Sequence, residues 1–406
     1  MRFTTKRAEF KEYSTGNNIC PVKIVTPPDG FYIHTFYDTC PWSPSERYLA
    51  CLKLPFQDRI PGPEDEATVC IIDFATETIT ELDRTSGWGL QVGAHICWGA
   101  DDDHLYYNDK EGSEVFAVEY NVNKREKKRL EGSVYQIMKD GSTAFSPSLS
   151  LINYSQNGYG ATIDEKYGCI PVSGAPDSEG LWKTDLRTGK KTLIFSLKQA
   201  YDLLPDKESF EGGRFVFFHT KINNQQNRLM QVVRYVFDDK RQQNRFIITM
   251  DMDGKNPRIA LPYELWVNGS HHPNWHPDGE RIIMNINLNE MRFCMFGYDG
   301  KGFEILCPAI KGGGHPSFSR DGKFILSDAY THESFVNENN HVPIRLIDVD
   351  KCIEQRICYI WTLGGTNIKG DIRCDPHPVW NRDNTRICFN GTPEGNRQIL
   401  IADKVW

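Results

Sequence analysis

The 406-residue chain has no apolar run approaching the roughly 18 residues of a membrane helix. Its opening, MRFTTKRAEFKEYSTG, lacks the apolar stretch of a secretory signal. A cytoplasmic protein with no membrane partner is therefore expected. A basic excess is missing too: 47 Lys and Arg face 54 Asp and Glu, for a net charge of -7. That balance argues against nucleic acid as a partner, and an anionic ligand would have to be held by local cations. The 12 cysteines include no CxxC pair. Most, such as Cys70, Cys294 and Cys388, sit inside apolar runs and read as small buried hydrophobes of a reducing compartment. No glycine-rich nucleotide motif and no GxSxG occurs.

What is present is a repeat. Trp275 is followed seven residues on by Ile282, which opens an apolar strand, and the polar turn HPDGE lies between them. The same spacing links Trp42 to Leu49, Trp98 to Leu105, Met138 to Phe145, Ile222 to Leu229, Phe318 to Ile325 and Trp380 to Ile387. The intervening residues are turn formers: Asp and Asn side chains bond their own backbone, and Gly accepts positive φ. Each copy has a second hairpin further on, such as VCIIDFATETITEL or FCMFGYDGKGFEIL. Two hairpins per copy give four strands, and seven copies give an all-β, seven-bladed β-propeller, expected as one domain over residues 1–406. The last copy ends one strand short at RQILIADKVW. The N-terminal EYSTGNNICPVKIVTPP has the look of the missing outer strand, so it is expected to complete the last blade and close the ring.

The position three before each anchor holds Thr39, His95, Tyr135, His219, His272, His315 and His377. Five of the seven are histidine in a chain with 11 histidines, well above random placement. These positions open the innermost strands, so they ring the central channel at the end opposite the turns. The long second-to-third-strand loops emerge there, where function concentrates. One reading is a polar channel mouth. The other is a metal held by His272, His315 and His377 from consecutive blades, with Asp375 two residues before His377. Imidazoles with a carboxylate suit manganese, iron, nickel or zinc. His271, His276, His332, His341 and His104 read as structural or surface residues.

VKIVTPPDGFYIHTFYDTCPWSP, HPNWHPDG and DPHPVWNRD resemble the opening, the metal-histidine segment and the late Pro-His-Pro segment of oligogalacturonate lyases. These are seven-bladed propellers that act on short pectin fragments in the bacterial cytoplasm, and the resemblance covers nearly the whole chain. In that family three histidines and a glutamine hold manganese, and a histidine on the preceding blade is the base. Carried over, the resemblance implies His272, His315 and His377 as ligands of Mn2+ and His219 as base. The glutamine has no clear counterpart, and Asp375 would take its place.

Elimination from a uronate needs a cation on the carboxylate, a base for the C5 proton and a proton or positive partner for the leaving oxygen. A neutral imidazole can serve as the base. Tyr135 or His95 could serve the leaving oxygen, and Arg59, Arg228, Arg245 and Arg373 could grip further carboxylates. The leading expectation is a metal-dependent polysaccharide lyase acting on an acidic oligosaccharide, as a monomer or weak oligomer. The alternatives are a non-catalytic TolB-like binding propeller, or a glycoside hydrolase, which usually needs two carboxylates about one bond.

Overall fold

The computed structural model describes residues 4–8, 10–239, 243–266, 268–364 and 370–405. Seven antiparallel sheets form the blades of a ring, a seven-bladed β-propeller. Blade five shows the pattern: His271–Trp275 lines the channel, followed outward by Arg281–Asn287, Met291–Gly297 and Glu304–Ile305. The middle strands are apolar on both faces because each blade packs between two others. Ile282, Ile283, Met284 and Ile286 are all fully buried. The turn HPDGE folds as its composition requires. Asp278 Oδ1 accepts from the amides of Glu280 and Arg281 at 2.9 and 3.0 Å, and Gly279 takes φ 73°.

Six of the seven anchor pairs are cross-strand partners: Trp42 with Leu49, Trp98 with Leu105, Ile222 with Leu229, Trp275 with Ile282, Phe318 with Ile325 and Trp380 with Ile387. Blade three departs from the expected register. Phe145 pairs with Gln136, and Ile137 pairs with Ala144, seven residues on. The anchor there is Ile137, not Met138. The ring closes as the sequence implies: Val22–Ile24 pairs with Gln398–Asp403 in the last blade, and Lys11–Glu12 adds a further strand outside it. Thr5–Arg7 then continues onto the outer edge of blade one, beside Thr78–Thr85.

Blade one carries the main irregularity. Its inner strand is Phe31–Ile33, and residues 34–41 then fill the channel itself. Phe36 and Tyr37 are each 1% exposed. Tyr37 Oη donates to the carbonyl of Pro273 at 3.1 Å and accepts from Lys221 Nζ at 2.8 Å. Lys221 in turn pairs with Asp38 at 2.7 Å, both almost fully buried. This plug separates the histidine end of the channel from the turn end. Among the described residues, no helix is long and apolar enough to cross a membrane.

Candidate functional site

The inner strands aim their histidines inward by breaking register. The pairing slips between Phe217 and Thr220, around His219, and between His271 and Asn274, around His272. His95, His272 and His377 have φ of 52°, 59° and 48°. A bulge of this kind re-aims a side chain, and histidine tolerates the left-handed region better than most residues.

His315 and His377 are fixed by one carboxylate. Asp328, wholly buried, receives His315 Nδ1 at 2.9 and 3.0 Å and the backbone amides of His315 at 2.7 Å and His377 at 3.0 Å. Its close approach requires a glycine at position 314, where a Cβ would meet the Asp328 carbonyl oxygen at 2.2 Å. With Nδ1 of His315 committed to the carboxylate, Nε2 is left with its lone pair, buried and without a hydrogen-bond partner. Both ring nitrogens of His377 are likewise buried and unpartnered. Asp375 lies beside them, its Oδ2 at 3.8 Å from His377 Nε2 and held by Arg373 Nε at 2.8 Å. One ligand atom from each of His315, Asp375 and His377 lies within 4.8 Å of the others. Two imidazoles and a carboxylate with orphaned donors fit a divalent cation, and the Asp328–His315 bond is the outer-shell contact such sites use.

The expected ligand His272 lies outside this converging set. Its ring sits 4.0 Å from that of His315, centroid to centroid, and its Nδ1 bonds the carbonyl of Gly314 at 2.9 Å and His271 Nδ1 at 2.7 Å. His271 is thus part of the cluster rather than mere support. Burial, and then the neighbouring His315, hold His272 well below the usual imidazole range. Burial likewise holds His377 and His219 well below that range and His95 at about 4. All four are neutral near pH 7, as ligands or bases must be.

The three expected catalytic groups gather on the other side of Phe36. Tyr135 Oη bonds His219 Nδ1, and the His95 ring lies 4.5 Å from Tyr135. Phe36 stacks on His219 at 5.3 Å and meets His377 edge-on at 4.6 Å, so its ring stands between the two groups. Thr39, which shares the column, lines the turn-side cavity instead.

The arginines divide. Arg59 is spent on Asp65 at 2.6 and 2.8 Å and lies over Phe56 at 3.6 Å, on an exposed loop. Arg228 follows the turn of blade four, stacked on Tyr298 at 3.6 Å and near Asp251 and Glu280. That is the opposite end of the blade from the histidines, which removes Arg228 as a substrate contact there. Arg59 faces a carboxylate of its own chain. Arg373 reaches Tyr159 Oη at 3.3 Å besides Asp375. Arg245 pairs across the hairpin with Arg234, a residue the repeat pattern did not single out. Arg234 is 6% exposed and lies 3.3 Å over the Phe218 ring. Its Nε and Nη1, and Nε of Arg245, are buried without partners. Among the described residues neither arginine meets a carboxylate. Burial foremost, and then Arg245, depress Arg234 well below the usual guanidinium range. Two adjacent guanidiniums without a counter-ion have the donors and the charge to take up an external anion. The available signal was an arginine inside each of two apolar strands, VVRYVF and NRFIITM. Phe36 and Asp328 carried no comparable mark.

No protein-family model and no curated protein matches the chain. Among solved structures, an oligogalacturonate lyase from Vibrio parahaemolyticus is similar with a TM-score of 0.67 at 14% identity, over 99% of this chain and 98% of that one. An oligogalacturonate lyase in complex with manganese is similar with a TM-score of 0.68, also at 14% identity and over the same shares. At that identity the likeness establishes the seven-bladed fold, and chemistry has to be argued from the site.

Proposed function

We propose that the protein is a metal-dependent lyase that cleaves uronate-containing oligosaccharides by β-elimination. One observation carries the reading: orphaned imidazole nitrogens beside a carboxylate share an end of the channel with two buried arginines that have no acid partner. The first arrangement suits a divalent cation and the second a carboxylate of the substrate. His315, Asp375 and His377 would hold the cation, and the likeness to a lyase solved with manganese supports Mn2+ as its identity. When bound, the cation offsets the second negative charge that develops as a uronate loses its C5 proton.

Arg234 and Arg245 grip a carboxylate of the substrate, and Arg373 holds Asp375 in place. The base is assigned to His272 in preference to His219. His272 packs against His315, and its Nδ1 is engaged at the Gly314 carbonyl, which presents Nε2 as the proton acceptor. His219 is separated from the cation set by Phe36, and its Nδ1 is already bonded to Tyr135. Tyr135, bonded to His219 on that same far side of Phe36, is set aside as the donor to the leaving oxygen on the same ground. The same reading carries a cytoplasmic enzyme, a monomer or weak oligomer, with an acidic oligosaccharide as its partner.

The test is ultraviolet absorbance. Elimination leaves a conjugated 4,5-unsaturated uronate, which hydrolysis and mere binding do not. Purified protein with manganese and oligogalacturonate is expected to produce the chromophore, and His272→Ala to lose it while keeping the metal. No absorbance change across galacturonate, glucuronate and guluronate oligomers, in protein shown to hold one cation per chain, would sink the lyase reading.

A further inference from the structure

The other end of the channel holds a cavity of about 390 Å³, on the turn face below the plug. Its size falls in the range of small-ligand pockets, roughly 300–1,000 Å³. Asp38 and Lys221, paired with one another, form its floor. Trp98, Trp275, Phe318 and Trp380 contribute its walls. Ser317 Oγ also lines it, buried and without a hydrogen-bond partner.

The mouth is cationic. Lys139 comes from the first turn of blade three and Arg382 from that of blade seven, and both line the cavity. Arg320, from blade six, is close enough to push on Lys139. Burial first, and then Arg320 and Arg382, hold the Lys139 ammonium below its ordinary range. Lys139 Nζ bonds only the carbonyl of Asn224, at 2.9 Å. Arg382 reaches the carbonyls of Ser43 and Trp42, each at 3.0 Å. Among the described residues none of the three has a side-chain carboxylate within ion-pair distance, although the chain is acidic overall. Elsewhere on the surface, cations such as Arg47, Arg129 and Lys198 are paired. Mutually repelling cations held over a concave, aromatic-walled cavity are arranged for an anion.

We propose that this turn-face cavity is a binding site for a small anionic sugar. A carboxylate or phosphate group sits at Lys139 and Arg382, and the ring lies against the tryptophan wall. The proposal does not rest on the lyase reading, because the plug separates the two ends.

The experiment is calorimetric titration of the full chain with galacturonate, glucose 6-phosphate, inorganic phosphate and glucose at low ionic strength. It is repeated with Lys139→Gln/Arg382→Gln and with His315→Ala. Saturable binding of galacturonate or glucose 6-phosphate is expected, weakened at least tenfold in the double variant and unchanged in His315→Ala. The tighter of the two identifies the anionic group. Arg382 ties blade seven to blade one, so Lys139→Glu alone serves as a second variant that leaves those bonds intact, and it too is expected to abolish binding. No saturable binding, or an affinity that survives both variants, overturns the proposal. Inorganic phosphate binding as tightly as the sugar phosphate, or glucose as tightly as galacturonate, also overturns it.

Discussion

Replacing Arg234 by methionine is expected to stabilise the unliganded protein and abolish recognition of the proposed anionic ligand. Arg234 Nε and Nη1 are buried without partners. Each unsatisfied buried donor costs about 1–3 kcal/mol, and a buried ion without a counter-charge costs several kcal/mol more. Against this, the guanidinium lies 3.3 Å from the centre of the Phe218 ring, a contact contributing about 2 kcal/mol when desolvated. Methionine removes the charge and both orphaned donors, while its flexible thioether still packs on Phe218. The net expectation is a gain of at least about 3 kcal/mol. The assay is equilibrium urea unfolding with and without an acidic oligosaccharide. Wild type should gain about 2.7 kcal/mol at a hundredfold excess of ligand over its dissociation constant, and Arg234→Met should gain nothing. A variant less stable than wild type by more than about 1 kcal/mol, or one with undiminished ligand stabilisation, would falsify the view that this pair waits for an external anion.

Three further outcomes follow from the same residues. Burial holds His34 and His95 at about 4, so the unfolded chain takes up their protons before the folded one does. Stability is then fully present above about pH 6.5 and falls by about 1.4 kcal/mol per pH unit per histidine between there and pH 4; a denaturation midpoint unchanged from pH 7 to pH 5 would contradict it. Asp328→Asn is expected to weaken manganese binding about 10–100-fold in folded protein, and titration of the metal showing equal affinity would exclude the shared-carboxylate role. Phe36→Ala should cost about 3–5 kcal/mol, checked by chemical unfolding, and a loss below about 1 kcal/mol would show that the plug is not packed as a core.

The fold was legible because it is periodic. Six anchor pairs recur at one spacing, and every polar turn between them closes by its own side chains. Blade three departs by one residue: Gln136 pairs with Phe145 and Ile137 with Ala144, so Ile137 rather than Met138 holds the anchor place. The histidine column was visible for the same reason. Its division was not, since Phe36 comes from the blade whose inner strand stops at Ile33 and so falls outside the period. Asp328 directly follows the second strand of blade six, three residues past Ile325, at a position the repeat does not mark. Position alone could not separate Arg228 from Arg234: six residues apart on one strand, they lie at opposite ends of the blade, one beside Glu280 and the other beside Phe218.

The plug also settles what a ring of five histidines can be. A channel lined by unhindered imidazoles would offer several overlapping cation sites and no free base. Phe36 fills the centre with a ring that cannot ligate, touching His219, His272, His315 and His377 at once. Asp328 then orients His315 and anchors the His377 backbone, and Asp375 joins from the same strand end as His377. His219 is drawn instead to Tyr135, and His272 to Gly314. One apolar side chain and one buried carboxylate thus turn a symmetric ring into a directional one. The donor set lies on one flank with His272 packed against its His315, and the Tyr135–His219 pair lies on the other.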